Sequence, residues 1–303
     1  MIRFFKDTDL ENVIALWTQV FGDSDDFVRA YMLHPTHAES MLVDVDNDKV
    51  TAMLSMLPIQ LMVDTLSVPG RYIYAVATDP DYRGQGKARA LVDYCHHDMC
   101  AREEYVSVLV PSNASLFDYY EKLDFATAFS IRHVMFDRAA LPVSAPPFHI
   151  NPLSSEDFFR IRNRYFSVRK PFVMWDEIAL DYVTSSTSAF EIGAFHISGE
   201  GFEGYAICSG RERSVFIGEM AYMGISRESF LGIIHSHIGA DRYTLRVGSP
   251  TSTIPGDPDH LPFGMIHYIE TPDSNPVIRI IDNAIKANQE VDATAPYLGL
   301  VLD

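Results

Sequence analysis

The chain has 303 residues, with 24 lysines and arginines against 41 aspartates and glutamates, a formal net charge of −17. That surplus of negative charge repels phosphate backbones and excludes nucleic acid as an expected partner. Apolar residues make up 47%, no apolar run approaches the ~18 residues that span a bilayer, and charges interrupt the opening stretch MIRFFKDTDLENV, so a globular cytoplasmic protein without a membrane helix or signal-peptide core is predicted.

In chain order, Thr8 and Glu11 form a Thr-x-x-Glu capping box, followed by Leu10, Val13, Ile14, Trp17 and Val20 at helical spacing. A second helix is predicted over 25–33 and stopped by Pro35. Strands follow over 41–45, 50–63 and 72–78. A long helix is expected from Gly84 to Arg102, with Ala88, Leu91, Val92, Cys95 and Met99 on its buried face. A strand over 105–110, a helix over 115–123 and a strand over 125–136 complete the first part. Pro142, Pro146, Pro147 and Pro152 then mark a linker, because proline removes a donor and clashes in regular structure. The predicted division is therefore a catalytic domain over 1–140, a linker over 141–152 and a second domain over 153–303. In the second, helices are expected over 154–166 and 176–184, strands over 190–196, 202–209 and 214–222, a helix over 227–238, and strands over 243–247 and 263–270 around a proline-rich loop. The last segment, 296–303, reads as a strand. The order of elements in the second part repeats that of the first.

The segment that carries chemistry runs from Tyr74 to Arg89. A strand ends in an Asp79-Pro80 turn, and a glycine loop opens into a helix. Gly84 and Gly86 permit close approach of the backbone, and the unpaired amides of a helix's first turn form an anion site suited to a pyrophosphate. Arg83, Lys87 and Arg89 add positive charge. The segment is not a Walker A loop, since Ala88 follows Gly86-Lys87, nor a dinucleotide fingerprint, since Arg89 stands at its last glycine. No Cys-x-x-Cys occurs, and His96-His97 and His235/His237 have poor ligand spacing, so no metal is expected. Cys95 and Cys100 read as small buried side chains, and three cysteines argue against a disulfide framework.

Arg83-Gly-Gln-Gly-Lys-Ala88 resembles the Arg/Gln-x-x-Gly-x-Gly/Ala signature of the GNAT acetyltransferases, and Asn113 to Phe125 resembles that family's second motif, with Leu116 and Asp124 as departures. The resemblance implies an α/β mixed-sheet acyl-CoA N-acyltransferase fold followed by a second, degenerate GNAT-like domain. It also implies acetyl-CoA as co-substrate. Val76, Ala77 and Thr78 would pair with the pantetheine arm. The loop of Arg83, Gly84, Gln85, Gly86, Lys87, Ala88 and Arg89 would hold the pyrophosphate, Asn113 would bond the pantetheine, and Tyr120 would protonate the leaving thiolate. Gly204-Tyr-Ala-Ile-Cys208 and Pro262-Phe-Gly-Met-Ile266 are similar to pieces of the Eis-type branch, which implies a homo-oligomer and a terminal carboxylate, here on Asp303, acting as base. This chain is too short for that branch's full sterol-carrier-like third domain. The expected activity is acetyl transfer to a primary amine of a small cationic acceptor, drawn in by the acidic field; the alternative is an acetyl-CoA sensor with little turnover, suggested by the absence of a carboxylate on the strand of Arg71, Tyr72 and Tyr74.

Overall fold

The computed structural model describes residues 1–142, 145–186, 192–211, 213–249, 260–270, 275–288 and 295–299. Along the chain run β1 (Ile2–Phe4), α1 (Leu10–Phe21), α2 (Asp25–Leu33), α3 (Pro35–Glu39), β2 (Met41–Asp46), β3 (Lys49–Val63), β4 (Leu66–Thr78), α4 (Lys87–Ala101), β5 (Val106–Leu109), α5 (Ala114–Glu121) and β6 (Ala126–Asp137). There follow β7 (His149–Pro152), α6 (Ser155–Phe166), β8 (Phe172–Trp175), α7 (Glu177–Ser186), β9 (Gly193–Gly199), β10 (Phe202–Arg211), β11 (Ser214–Met223), α8 (Arg227–Ile238), β12 (Arg242–Ser249), β13 (Leu261–Tyr268) and α9 (Asn275–Ala287). The fold is mixed α/β. The chain divides into two compact units, Met1–Ala128 with Gly264–Asn283, and Phe129–Phe263 with Ala284–Asp303.

In the first unit the strand order is β1-β2-β3-β4-β5-β13. All contacts are antiparallel except that between β4 and β5, which is parallel over Gly70↔Val106 to Ile73↔Leu109. Helix α4 lays Leu91, Val92, Cys95 and Met99 on a core that also holds Leu54, Ile73, Leu109, Tyr120 and Phe125. Buried apolar side chains of this size contribute about 1.5–3 kcal/mol each relative to exposure. In the second unit the order is β6-β12-β11-β10-β9-β7, again with one parallel contact, β11 with β12. Strand β7 lies at the edge, where Pro152 costs no ladder bond. Its core gathers Ile217, Phe230, Ile233 and Leu245. A fully buried Arg162–Glu219 pair (3.0 Å) is satisfied by Tyr205, Tyr297 and the carbonyls of Val173 and Leu298. Such a pair is tolerable only because each remaining polar site finds a partner.

Several expectations change. The Thr8-x-x-Glu11 box does not form. Asp9 instead accepts from the Lys6 amide (2.8 Å) while holding Arg3 (2.6 Å), and α1 starts behind a short 3-10 turn. Pro35 does end α2, but it also opens α3 as its first residue, where a missing N–H costs nothing. The long helix begins at Lys87, not Gly84, because both glycines take positive φ. Cys95 is buried but Cys100 is exposed. Strand β8 and helix α9 lie outside any predicted element. Ile281 and Ile285, one turn apart, form the buried stripe of α9. Of the expected terminal strand, Tyr297 makes a parallel bridge to Phe172, and residues 300–303 are outside the described ones.

Candidate active site

Strand β4 parts from β5 after Ile73↔Leu109, so among the described residues the remainder of that edge carries no strand partner. On its other side the register with β3 shifts between Ser55↔Tyr74 and Met53↔Ala77, leaving Ala75 and Val76 opposite one residue. This is a β-bulge, and Ala75 sits at φ 49°, a conformation disfavoured for a residue with a Cβ. A bulge bends the strand and re-aims its backbone groups. Val76 and Thr78 are half-buried on the open edge, with Ala77 buried between them.

The turn after β4 is built by Asp79. Its carboxylate accepts from the Asp81 amide (2.9 Å) and pairs with Lys49 (2.7 Å), and its own amide donates to the Thr51 carbonyl. Pro80 presets the turn. Gly84 and Gly86 then take φ 75° and 76°, and a Cβ built on either meets nothing within 4 Å. Gly86 is the N-cap of α4, and no side chain caps the helix. The first-turn amides of Lys87, Ala88 and Arg89 are thus presented beside a positive helix end, next to open space.

Charge around the loop is distributed differently from its sequence. The Lys87 ammonium bonds Asp44 (2.8 Å), which also takes the N-terminal ammonium (2.8 Å), so Lys87 offers its amide rather than its charge. The Arg83 guanidinium donates to the Thr78 carbonyl (3.3 Å) from an exposed position, and Gln85 reaches the Asp81 carbonyl at 3.5 Å. Arg89 has one loose, exposed pairing with Asp93 at 3.8 Å, the kind that contributes little. Arg83 and Arg89 are therefore the loop's cations.

Asn113 caps α5, accepting from the Leu116 amide (3.3 Å) and the Ser115 hydroxyl (2.7 Å), and it is exposed. Tyr120, one face of α5 further on, is 6% exposed and packs edge-on against Phe125 and Tyr119. Its hydroxyl has no hydrogen-bond partner among the described residues. Burial, with a smaller contribution from Tyr119, pushes its pKa well above the ordinary tyrosine value. It stays a neutral donor at physiological pH. Asp303 lies outside the described residues. Strand β4 carries no carboxylate and its Arg71 is bound bidentately to Glu104 (2.6 and 2.8 Å), so that strand offers no base.

Sequence reasoning missed an aromatic cluster beside the bulge. Trp17, Tyr31 and Tyr74 have ring centroids 5.0–5.9 Å apart, and His37 stacks on Tyr31 at 4.0 Å. The Tyr31 hydroxyl is 2.8 Å from the Ser55 hydroxyl. Scattered over four elements, α1, α2, α3 and β4, these residues leave no local pattern. Burial, partly offset by the bond from His37 Nδ1 to the Tyr31 carbonyl (2.9 Å), pulls the His37 imidazole down to about 4. The unfolded chain binds this proton near the ordinary imidazole value of 6.5 and the folded chain only near 4, so stability is full above 6.5 and falls as pH drops toward 4. The expected loss is about 3 kcal/mol. Urea melts at pH 7 and pH 4.5 test this: His37→Gln should flatten the dependence, and an unchanged slope would remove His37 from it.

No cluster of three or more metal-ligating side chains occurs among the described residues. His96 stacks on His267 at 4.2 Å and bonds Ser107. No described helix is long and apolar enough to cross a membrane.

Residues 1–128 match the family model of the acetyltransferase (GNAT) domain. No curated protein matches the chain. Among solved structures, a conserved Enterococcus faecalis V583 protein described as a probable N-acyltransferase is 17% identical with a TM-score of 0.69, covering 89% of this chain and 73% of its own. Eis1 from Mycobacterium abscessus is 13% identical with a TM-score of 0.63, covering 89% and 74%. Saccharomyces cerevisiae N-myristoyltransferase with bound myristoyl-CoA is 12% identical with a TM-score of 0.53, covering 90% and 83%. At these identities the likeness is one of fold.

Proposed function

We propose that this chain, whose residues 1–128 carry a GNAT acetyltransferase domain, moves an acetyl group from acetyl-CoA to a primary amine of a small cationic acceptor in a ternary complex. The observation that carries the reading is the uncapped Gly84–Gly86 turn at the start of α4, beside the open edge of β4. The amides of Gly84 to Ala88 hold the pyrophosphate, with Arg83 and Arg89 adding charge. Val76, Ala77 and Thr78 offer backbone groups to the pantetheine arm, with Asn113 near it. Acetyl-CoA supplies the activated thioester. The neutral amine attacks the carbonyl carbon, a β4 amide stabilises the oxyanion, and Tyr120 gives its proton to the leaving thiolate. Asp303 is the proposed acceptor of the ammonium proton. The acidic surface favours cationic acceptors over nucleic acid. The functional division at 140 and 152, an Eis-like branch, a homo-oligomer and a cytoplasmic setting belong to the same reading.

The absence of a carboxylate on β4, where a base is wanted and Arg71 instead holds Glu104 bidentately, favours a second reading: an acetyl-CoA-binding sensor with little turnover. Thiol release from acetyl-CoA, measured with a panel of polyamines, amino sugars and lysyl peptides, separates them. Amine-dependent release supports transfer; tight CoA binding with no release for any amine supports the sensor.

A further inference from the structure

The second unit repeats the splayed strands of the first. In each, a short parallel pairing opens at a β-bulge: β4 leaves β5 after Ile73↔Leu109, and β11 leaves β12 after Ile217↔Leu245. Between Cys208↔Ile217 and Ile207↔Glu219 the strand β11 carries one extra residue, Gly218, as Ala75 marks the bulge of β4. The function proposed above gives the first opening to the pantetheine arm. The second opening holds the chain itself. Residues 295–299 touch both strands beyond the point where they part. On β11, Glu219 accepts from the Tyr297 hydroxyl (2.9 Å). On β12, Arg246 donates from Nη2 to the Gly299 carbonyl (3.4 Å), and from Nε across the gap to the Gly218 carbonyl in the bulge (3.0 Å). The Tyr297 ring lies so close to Gly248 of β12 that a Cβ there would stand 2.7 Å from it.

The segment is seated as a strand is. Tyr297 donates its amide to the Pro171 carbonyl and accepts the Val173 amide on its own carbonyl, both at 2.8 Å, in a parallel bridge to Phe172 of β8. An extended peptide adds to a sheet edge in the same way. Tyr297 and Leu298 are buried. They also complete the buried Arg162–Glu219 pair: the Tyr297 hydroxyl bonds Glu219, and the Leu298 carbonyl accepts from Arg162 (3.2 Å). A pantetheine arm entering here has to strip both bonds from a buried ion pair, and charges left short of partners in the interior are costly. The diphosphate seat is not repeated either. Unlike α4, helix α8 is closed at its start by Ser226, whose hydroxyl accepts from the Ser229 amide (3.1 Å).

We propose that residues 295–299 are the built-in occupant of the second unit's slot, a peptide lying where the first unit takes the pantetheine arm, so that the chain holds one CoA and the second unit is a closed copy of the first. This rests on the reading of the first opening as a CoA site. The test is amide hydrogen exchange on the full chain, with and without saturating CoA, joined to calorimetric stoichiometry. One equivalent of CoA is expected, with exchange over 295–299 slow and unmoved by CoA. Gly248→Ala, which sets a methyl against the Tyr297 ring, should speed that exchange tenfold or more and leave CoA affinity unchanged. If that variant folds poorly, Tyr297→Phe, which keeps the ring and removes the hydroxyl on Glu219, should speed it about fivefold. Two equivalents of CoA, release of the segment as CoA saturates, fast exchange over 295–299 in the wild type, or exchange untouched by these substitutions overturns the proposal. No CoA binding at all, with the segment still protected, overturns instead the reading of the first unit, and with it the likeness of the two slots.

Discussion

Replacing Gly86 by glutamate is expected to raise the dissociation constant for CoA by about 30-fold or more, roughly 2 kcal/mol of lost charge-assisted bonding. Two effects act together. A side chain at φ 76° is strained by about 1 kcal/mol, and its carboxylate stands at the N-terminus of α4, where the first-turn amides have no capping side chain. The space around the Cβ position is open, so the substitution is accommodated sterically and the protein should still fold. Gly86→Ala separates the contributions, since it carries the strain without the charge and should weaken binding only slightly. Calorimetric titration reads both. Wild-type affinity in the glutamate variant would show that the diphosphate does not rest on this loop.

The second large effect is expected at Tyr120. Phenylalanine there keeps the ring that packs on Phe125 and Tyr119 and removes only the hydroxyl. Because that hydroxyl bonds nothing among the described residues, stability should change little. Burial raises the tyrosine pKa, so the wild-type group is protonated over the whole working range and fit to donate. Turnover in Tyr120→Phe should fall about 10²- to 10³-fold, with CoA affinity held within a factor of two or so. Full turnover would transfer the donor role to another group.

The parts of this architecture legible in the sequence are those specified locally. The Tyr72–Thr78 strand, the Asp79-Pro80 turn, the two glycines and the stripe Leu91, Val92, Cys95, Met99 each follow from a short pattern, and each lies where that pattern puts it. The bulge at Ala75 does not, because alanine carries no signal for positive φ; the mismatch arises from the register against β3. Nor does the capture of Lys87 by Asp44, 43 residues apart in sequence. Thr8 shows the converse, a valid local signal outcompeted when Asp9 found both Lys6 and Arg3.

Strand β5, all four residues buried, takes its antiparallel neighbour from Met265 to Tyr268, more than 150 residues later in the chain. During synthesis, the edge of β5 stays unsheathed until that distant stretch has left the ribosome. The ribosome adds about 5–20 residues per second, so the interval is on the order of ten seconds. An apolar strand edge open that long is a template for wrong pairing, and the first 140 residues expressed alone would keep the same sticky margin permanently.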